Sequence, residues 1–323
     1  MNQKLQNILD IILQSEKLDA EQKDSMIKAV KDADKELEIT AFKLERTEKV
    51  KKTTAILLEE TIEELEQKRK AVEEQAKIIQ AENDRKSKEL EDARQLQLAM
   101  LPLELPKLPH LDIAVYMKTA TEVGGDYYDF HIKPDGTLTV LVGDATGHGM
   151  MSGMMVSIMK SFFIADRNTL ELKNFFDSSN KSIKDMQLGR LMMACMGVQI
   201  TSQKVIATNA GMPSLIYFRK KSQKAGEFVI NNMPLGAMKS TVYSLRKIIY
   251  ERGDTLLLMS DGFAELKNRN NEQYGYLRIK EEFRSVAQRN SNEIVEHLKN
   301  SASQWINGTE PDDDVTFVVI KVK

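Results

Sequence analysis

Residues 1 to about 100 follow a helical pattern of apolar and polar positions that the rest of the chain lacks. From Leu37 to Met100 an apolar residue recurs at almost every seventh position, with a second column four places further on. Such a heptad repeat is typical of a coiled coil. At 1.5 Å per residue this helix would be roughly 95 Å long, which is too long to cover one globular core. The pattern therefore predicts a parallel coiled coil with a second copy of the chain.

Polar side chains interrupt the inner column of this repeat. Glu48, Arg69, Asn83 and Gln97 occupy positions where a stable coiled coil carries apolar residues. A weakened seam favours two pairings of similar energy, so we predict that the helix is a switch as well as a dimerisation element. The first alternative is a coiled coil that only holds two subunits together. The second is a single solvated helix.

The N-terminal part divides into a helical segment over residues 1–33 and the coiled-coil helix over residues 34–100. The apolar spacing of the first segment predicts two short amphipathic helices that cap or extend the dimer. No glycine or proline occurs before Pro102, where the helix is predicted to end, because proline lacks an amide proton and disfavours helix before itself. A new domain is therefore predicted over residues 101–323.

The sequence pattern of this second domain predicts short strands interrupted by blocks of helix. That order indicates an α+β fold with antiparallel sheets and helices on their faces. Predicted helices cover residues 150–165, 170–186 and 292–306. Predicted strands cover residues 111–119, 127–132, 137–143, 192–200, 204–209, 214–219, 228–231, 245–250, 255–259 and 315–322.

Charge and composition narrow the range of functions. The net charge is −2, so neither nucleic acid nor an anionic membrane surface is an expected partner. No apolar stretch is long enough to cross a bilayer, and we predict a cytoplasmic protein without membrane insertion. The single cysteine, Cys195, lies in an apolar run that predicts burial. Four histidines at unrelated spacings cannot form a zinc helix or finger, so any metal must rely on oxygen ligands.

Four aspartates occupy the ends of predicted strands. They are Asp126, Asp144, Asp261 and Asp313. Unpaired carboxylates beside an apolar sheet are costly, and several that converge on one edge need a counter-charge. Divalent cations with oxygen ligands supply it, and neighbouring glycines allow backbone carbonyls to approach as further ligands. The four positions together predict a metal site.

Eight short blocks resemble, in order and spacing, the SpoIIE/RsbU branch of the PPM serine/threonine phosphatases. The resemblance covers about residues 93–323. The blocks are Ala93 to Pro102, Glu122 to Phe130, Gly143 to Gly149, Asn209-Ala210-Gly211, Pro234-Leu235-Gly236, Gly253-Asp254, Ser260 to Glu265 and Asp313-Asp314-Val315-Thr316.

This resemblance implies a fold, a cofactor and a set of ligands. The fold would be the PPM sandwich of two antiparallel sheets flanked by helices, with two Mn²⁺ or Mg²⁺ ions at one edge. By analogy Asp144 would bridge both ions, and Asp126 with the carbonyl of Ala145 would complete one side. Asp261 and Asp313 would hold the other. The four aspartates are thus the predicted catalytic residues, together with this carbonyl as a metal ligand.

The sequence departs from the family pattern at two positions. Met212 stands where histidine is usual, and Ser260 stands where threonine is usual. Methionine cannot hydrogen-bond as imidazole does, but every expected metal ligand is retained. His148, in a Gly-His-Gly turn, is either a proton donor to the leaving group or a structural residue.

The resulting hypothesis is a metal-dependent protein serine/threonine phosphatase in which a metal-bridging water or hydroxide attacks phosphorus. The family suggests a phosphorylated STAS-domain regulator as the substrate, and an upstream sensor protein could set the register of the coiled coil. One alternative is a catalytically weak scaffold that binds a phosphoprotein. Another is a nucleotide cyclase, suggested by Gly124-Gly125-Asp126, but it leaves the other three aspartates unexplained.

Overall fold

The computed structural model describes all residues from Met1 to Lys323. The chain divides into two compact units, Met1–Asn83 and Asp84–Lys323. None of its helices combines the length and the apolar character that a membrane span needs. The predicted domain limits at residues 33 and 100 do not coincide with the boundary between these two units, and they stay a prediction.

The first unit contains a short helix and most of a very long one. Helix α1 covers Gln3–Gln14, and α2 covers Ala20–Met100. The backbone amide of Asn2, which caps α1, donates to Asp34 Oδ1 at 2.7 Å. The beginning of α1 is thereby tied to α2. Two short helices were expected here, but the second is simply the start of α2, because nothing between Ala20 and Asp34 interrupts helical hydrogen bonding.

The heptad positions of α2 are exposed in the single chain. Leu44, Leu58, Leu65 and Val72 are each more than half exposed. Apolar side chains repeated on one helix face are stable in water when a partner covers them. The coiled-coil dimer therefore stays a prediction that this exposure supports.

The second unit contains two antiparallel five-stranded sheets. The first sheet has the order β1-β10-β9-β6-β7, and the second has the order β2-β3-β4-β5-β8. The strands are β1 Leu111–Lys118, β2 Asp126–Ile132, β3 Leu138–Ala145, β4 Met193–Ile200, β5 Lys204–Ala210, β6 Leu215–Arg219, β7 Lys224–Phe228, β8 Arg246–Ile249, β9 Thr255–Met259 and β10 Val315–Val322.

Helices cover the outer faces of both sheets. Side chains of α3 and α4 pack on the second sheet, and those of α6 and α7 pack on the first. A third apolar cluster fills the space between the sheets. These four layers confirm the predicted α+β sandwich. The helices are α3 Met150–Asp166, α4 Leu172–Asp185, α5 Gly262–Glu265, α6 Tyr276–Val286 and α7 Ser291–Ile306.

The sequence pattern misplaced one strand, β7, and missed two helices, α5 and α6. A strand was expected over residues 228–231, but β7 ends at Phe228. Antiparallel pairing explains the shift, since Lys224 lies opposite Arg219 and a four-residue turn brings the chain straight back onto β6. Helix α6 was missed because half of its residues are charged or polar and its apolar side is only three residues wide.

A buried ion pair joins α3 to the second sheet. Lys160 Nζ lies 2.7 Å from Asp129 Oδ2, and the Asp129 side chain is only 4% exposed. The hydroxyl of Tyr127 donates to the same oxygen at 2.8 Å, and the amide of Phe130 donates to the other. The carboxylate is therefore compensated by one cation and two hydrogen bonds.

Replacing Lys160 by methionine should leave the Asp129 charge buried without a cation. We expect Lys160→Met to lower the free energy of unfolding by about 3 kcal/mol, the lower end of the cost of breaking a buried pair. Urea denaturation followed by circular dichroism measures this. Lys239→Met breaks an exposed pair with Asp185 and should cost less than about 1 kcal/mol. Equal losses in the two variants would contradict the prediction.

Candidate active site

The four predicted aspartates lie where strands of both sheets end. Asp126 is the first residue of β2 and is paired across the ladder with Asp144, near the end of β3. Asp261 comes two residues after β9, and Asp313 comes two residues before β10. Strands β9 and β10 are neighbours in the first sheet. Each pair of carboxylates therefore comes from two adjacent strands.

A serine hydroxyl connects the two sheets at this edge. Ser260 Oγ donates to Asp126 Oδ2 at 2.8 Å and accepts from the backbone amide of Thr316 at 3.0 Å. Its side chain is fully buried. Serine in place of the family's usual threonine therefore keeps a hydroxyl that orients Asp126.

The carboxylates are close enough to repel one another. Burial, followed by the negative charge of Asp144, raises the pKa of Asp126 well above its usual range. Burial also raises the pKa of Asp144 to about 8, with further contributions from the charges of Asp261, Asp313, Asp314 and Glu265. This electrostatic cost of placing acids from both sheets at one edge favours a bound cation.

The donor atoms at this edge suit a hard divalent cation. A Cβ atom at Gly125 would lie 2.9 Å from the carbonyl oxygen of Ala145 and 3.2 Å from Asp144 Oδ1, so glycine leaves space beside both oxygens. Carboxylate and carbonyl oxygens are the ligands that Mg²⁺ and Mn²⁺ prefer. The residues present therefore fit the cofactor class that the sequence predicts.

The side chains do not form a ready-made coordination sphere. In this arrangement no three histidine, cysteine, aspartate or glutamate side chains are close enough together to hold one metal ion. The Asp126 carboxylate is turned towards Ser260, whose hydroxyl donates to its Oδ2. The ligand roles expected for Asp126, Asp144, Asp261, Asp313 and the Ala145 carbonyl accordingly stay predictions.

Asp314 shapes the loop that carries Asp126. Its Oδ1 accepts from the amide of Ala120 at 2.7 Å, and its Oδ2 accepts from the amides of Gly125 at 2.5 Å and Asp126 at 3.3 Å. A Cβ atom at Gly124 would collide with this carboxylate. The Asp314 side chain therefore holds the backbone of this loop in place. This is the role of the second acid, directly after Asp313.

The last turns of α2 hold the same loop from the other side. Gln97 Nε2 donates to the carbonyl of Gly124 at 2.6 Å, and the amide of Gly124 donates to Gln97 Oε1 at 3.0 Å. The Gln97 side chain is buried. The heptad interpretation placed Gln97 in a seam between two helices, and this was wrong. Its side-chain amide instead pairs with the backbone N–H and C=O of Gly124, two residues before Asp126.

Two further predicted residues take clear positions. Met212 is buried among the apolar side chains between the sheets, and its backbone exchanges two hydrogen bonds with the Asn209 side chain, at 2.7 and 2.8 Å. The turn is thus closed by asparagine and needs no imidazole. His148 is exposed in the loop between β3 and α3, and its role as a proton donor stays a prediction.

Three residues of the site were missed in the sequence. Asp314, Ser260 and Gln97 make the hydrogen bonds that position the Asp126 loop. The signal for Asp314 was the presence of a second acid between Asp313 and the beginning of β10. Gln97 differs from the other polar seam residues in lying within the block Ala93 to Pro102, which resembles the phosphatase family.

The second unit has the fold of a PP2C domain. Among solved structures, the SiaA PP2C domain of Pseudomonas aeruginosa superimposes with a TM-score of 0.67 at 19% identity, over 75% of this chain and 98% of that domain. The sequence model of the family described as Stage II sporulation protein E (SpoIIE) matches residues 134–323, more than half of the chain. The chain belongs to the SpoIIE family.

Two characterised relatives align over most of the chain. Phosphoserine phosphatase RsbU of Bacillus subtilis is 23% identical over 245 residues, which cover 73% of this chain and 70% of RsbU. Protein IcfG of Synechocystis is 21% identical over 262 residues, covering 72% of this chain. The aligned part spans only 41% of the length of IcfG.

Gln97→Leu should loosen the loop ahead of Asp126. The substitution leaves a buried amide and a buried carbonyl of Gly124 unpaired, at a cost of about 1–3 kcal/mol. We expect a lower free energy of unfolding in urea and faster hydrogen exchange of the amides of residues 120–126. Gln95→Leu, on the exposed side of the same turn, is the matched control and should change neither measurement. Unchanged exchange in Gln97→Leu would show that the pair does not hold the loop.

Proposed function

We propose that this protein is a metal-dependent phosphatase that hydrolyses phosphoserine or phosphothreonine on a regulatory protein. The observation that carries the proposal is the convergence of acids from β2, β3, β9 and β10 at one edge of a PP2C-type sandwich. RsbU, a relative over most of the chain, is named a phosphoserine phosphatase. The fold and the acidic edge support the same activity here.

Two Mn²⁺ or Mg²⁺ ions are the proposed cofactors. Asp144 would lie between them, with Asp126 and the Ala145 carbonyl on one side and Asp261 and Asp313 on the other. When bound, the ions would activate water for attack on phosphorus and would neutralise charge on the phosphoryl oxygens. The chain's part is to hold these acids in place through Ser260, Asp314 and Gln97.

The proposed chemistry needs no protein nucleophile. Cys195, the one cysteine, is fully buried in β4, and burial raises the pKa of its thiol. A buried protonated thiol cannot attack a phosphoester. Hydrolysis by water fits an edge whose side chains are carboxylates and include no exposed thiol.

The partners follow from the same proposal. We propose a phosphorylated STAS-domain protein as substrate, a parallel homodimer through α2 and an upstream sensor that acts on residues 1–33. Residues 34–100 would form the coiled coil and residues 101–323 the phosphatase domain, in the cytoplasm, without nucleic-acid binding or membrane insertion. The exposed heptad residues of α2 support the dimer.

Regulation through α2 is part of the proposal. Helix α2 runs to Met100, and its residue Gln97 is paired with the loop that carries Asp126. A rotation of the last helical turns would therefore move Gly124 and change the space available at the metal site. The polar seam residues Glu48, Arg69 and Asn83 would allow a second pairing register.

A catalytically weak phosphoprotein-binding scaffold is the second candidate. It is favoured by the absence of three side chains close enough to hold a metal ion and by Met212 in place of the family histidine. Hydrolysis of p-nitrophenyl phosphate in the presence of Mn²⁺ separates the two, since a scaffold would bind phosphoprotein without releasing phosphate.

Asp144→Asn should abolish both metal binding and turnover. In the unchanged protein we expect Mn²⁺ at one hundred times its dissociation constant to add about 2.7 kcal/mol of stability, visible as a higher Tm. Asp144→Asn should lose that shift and nearly all phosphate release. Asp166→Asn, at the exposed end of α3, is the matched control and should keep both. A normal Tm shift and normal turnover in Asp144→Asn would show that the site is assigned wrongly.

Leu58→Lys should weaken the coiled coil and change catalysis with it. A charge in the heptad seam opposes pairing, so we expect a lower molar mass in light scattering and a severalfold change in the half-saturating Mn²⁺ concentration. Ile56→Lys places the same charge outside both heptad columns and should leave the dimer intact. If the dimer is lost while the rate and the Mn²⁺ dependence stay the same, α2 joins the subunits without regulating them.

A further inference from the structure

A cavity of about 290 Å³ lies beside the candidate active site, on the side of the first sheet that α6 covers. It belongs entirely to the second unit of the chain. Its lining residues come from β6, β7, β9, α6 and the turn before β6, and they are Met212, Pro213, Ser214, Ile216, Glu227, Met259 and Tyr276.

Strand geometry places this cavity at the same edge as the aspartates. Strand β6 pairs antiparallel with β9, with Ile216 opposite Leu257, so the beginning of β6 lies beside the end of β9. Met259 is the last residue of β9 and comes two positions before Asp261. The turn at Met212 and Pro213 enters β6 from this end. The cavity therefore continues the acidic edge along the first sheet.

Tyr276 borders both the cavity and the acids. It is the first residue of α6 and lines the cavity wall. Burial raises the pKa of its hydroxyl to about 12, and the nearby charges of Asp261 and Glu265 contribute. Tyr276 is therefore a neighbour of both the cavity and the acidic edge.

Four of the seven lining residues are apolar, namely Met212, Pro213, Ile216 and Met259. This composition favours an apolar occupant. The one carboxylate, on Glu227, already pairs with Lys280 Nζ at 2.9 Å. Its charge is therefore compensated within the protein and offers little attraction to a basic side chain. Methionines adapt their shape to varied apolar partners.

We propose that this cavity is a subsite for a large apolar side chain, such as leucine, of the substrate polypeptide close to the phosphorylated residue. The occupant is thus a segment of the phosphoprotein itself, bound in continuity with the acidic edge. At about 290 Å³ the cavity falls at the lower limit of ligand pockets and suits a side chain more than a separate molecule. The inference rests on the proposed phosphatase function and adds a source of sequence preference to it.

Paired phosphoserine peptides test the subsite on the full-length protein. The peptides carry leucine, lysine or aspartate at one position, scanned from two residues before to two residues after the phosphoserine. Phosphonate versions, which resist hydrolysis, report binding by fluorescence anisotropy with Mn²⁺ present. We expect leucine at one position to bind about tenfold more tightly than aspartate, as one filled apolar pocket typically gives. The hydrolysable peptides should show the same preference in kcat/KM.

Ser214→Phe tests whether the preference comes from this cavity. The aromatic ring would fill the cavity, and we expect the tenfold preference for leucine to disappear in the binding assay. Ser222→Phe makes the same change in the exposed turn at the far end of β6 and should keep the preference. The comparison of peptides on the unchanged protein does not depend on how well either variant folds.

The outcomes separate this inference from the proposed function. Phosphate release without any leucine preference, or with a preference that Ser214→Phe retains, would overturn the subsite and leave the phosphatase. A preference for lysine that Glu227→Gln removes would also overturn it. A leucine preference in binding without phosphate release from any substrate would uphold the subsite and refute the phosphatase.

Discussion

The repulsion among the carboxylates at one edge of the sandwich governs the structure around the site. Four acids from two sheets are held where burial and like charge raise the pKa of Asp126 and Asp144. Ser260 offsets part of that cost by donating its hydroxyl to Asp126. Asp314 adds a negative charge of its own, and its carboxylate accepts hydrogen bonds from the backbone amides that fix the loop. What remains is a negative edge that a divalent cation would stabilise.

The last turns of α2 also position the loop that carries Asp126. Gln97 pairs with both backbone polar groups of Gly124, and that residue lies two positions before the buried Asp126. The end of α2 is therefore part of the scaffold of the site. A heptad pattern alone assigns this glutamine to a dimer seam, whereas its partner is a loop of the same chain.

A cavity lies next to the acidic edge of the sandwich. Sheet order places the beginning of β6 beside the end of β9, so an apolar cavity adjoins the acids. Met212, which replaces the histidine usual in the family, lines this cavity and is held by Asn209.

The sequence by itself determined the class of fold, most strands and the position of four aspartates at strand ends. Strand alternation, turn residues and motif spacing are local signals, and this is why they could be found without the structure. The sequence placed β10 and β5 within one residue of their bounds. Tertiary structure decided β7, whose bounds depend on pairing with β6, and α6, whose narrow apolar face needs the first sheet. It also decided the partners of Gln97, Ser260 and Asp314. These hydrogen bonds join residues at least 27 positions apart, and no local pattern encodes which distant backbone group a polar side chain will meet.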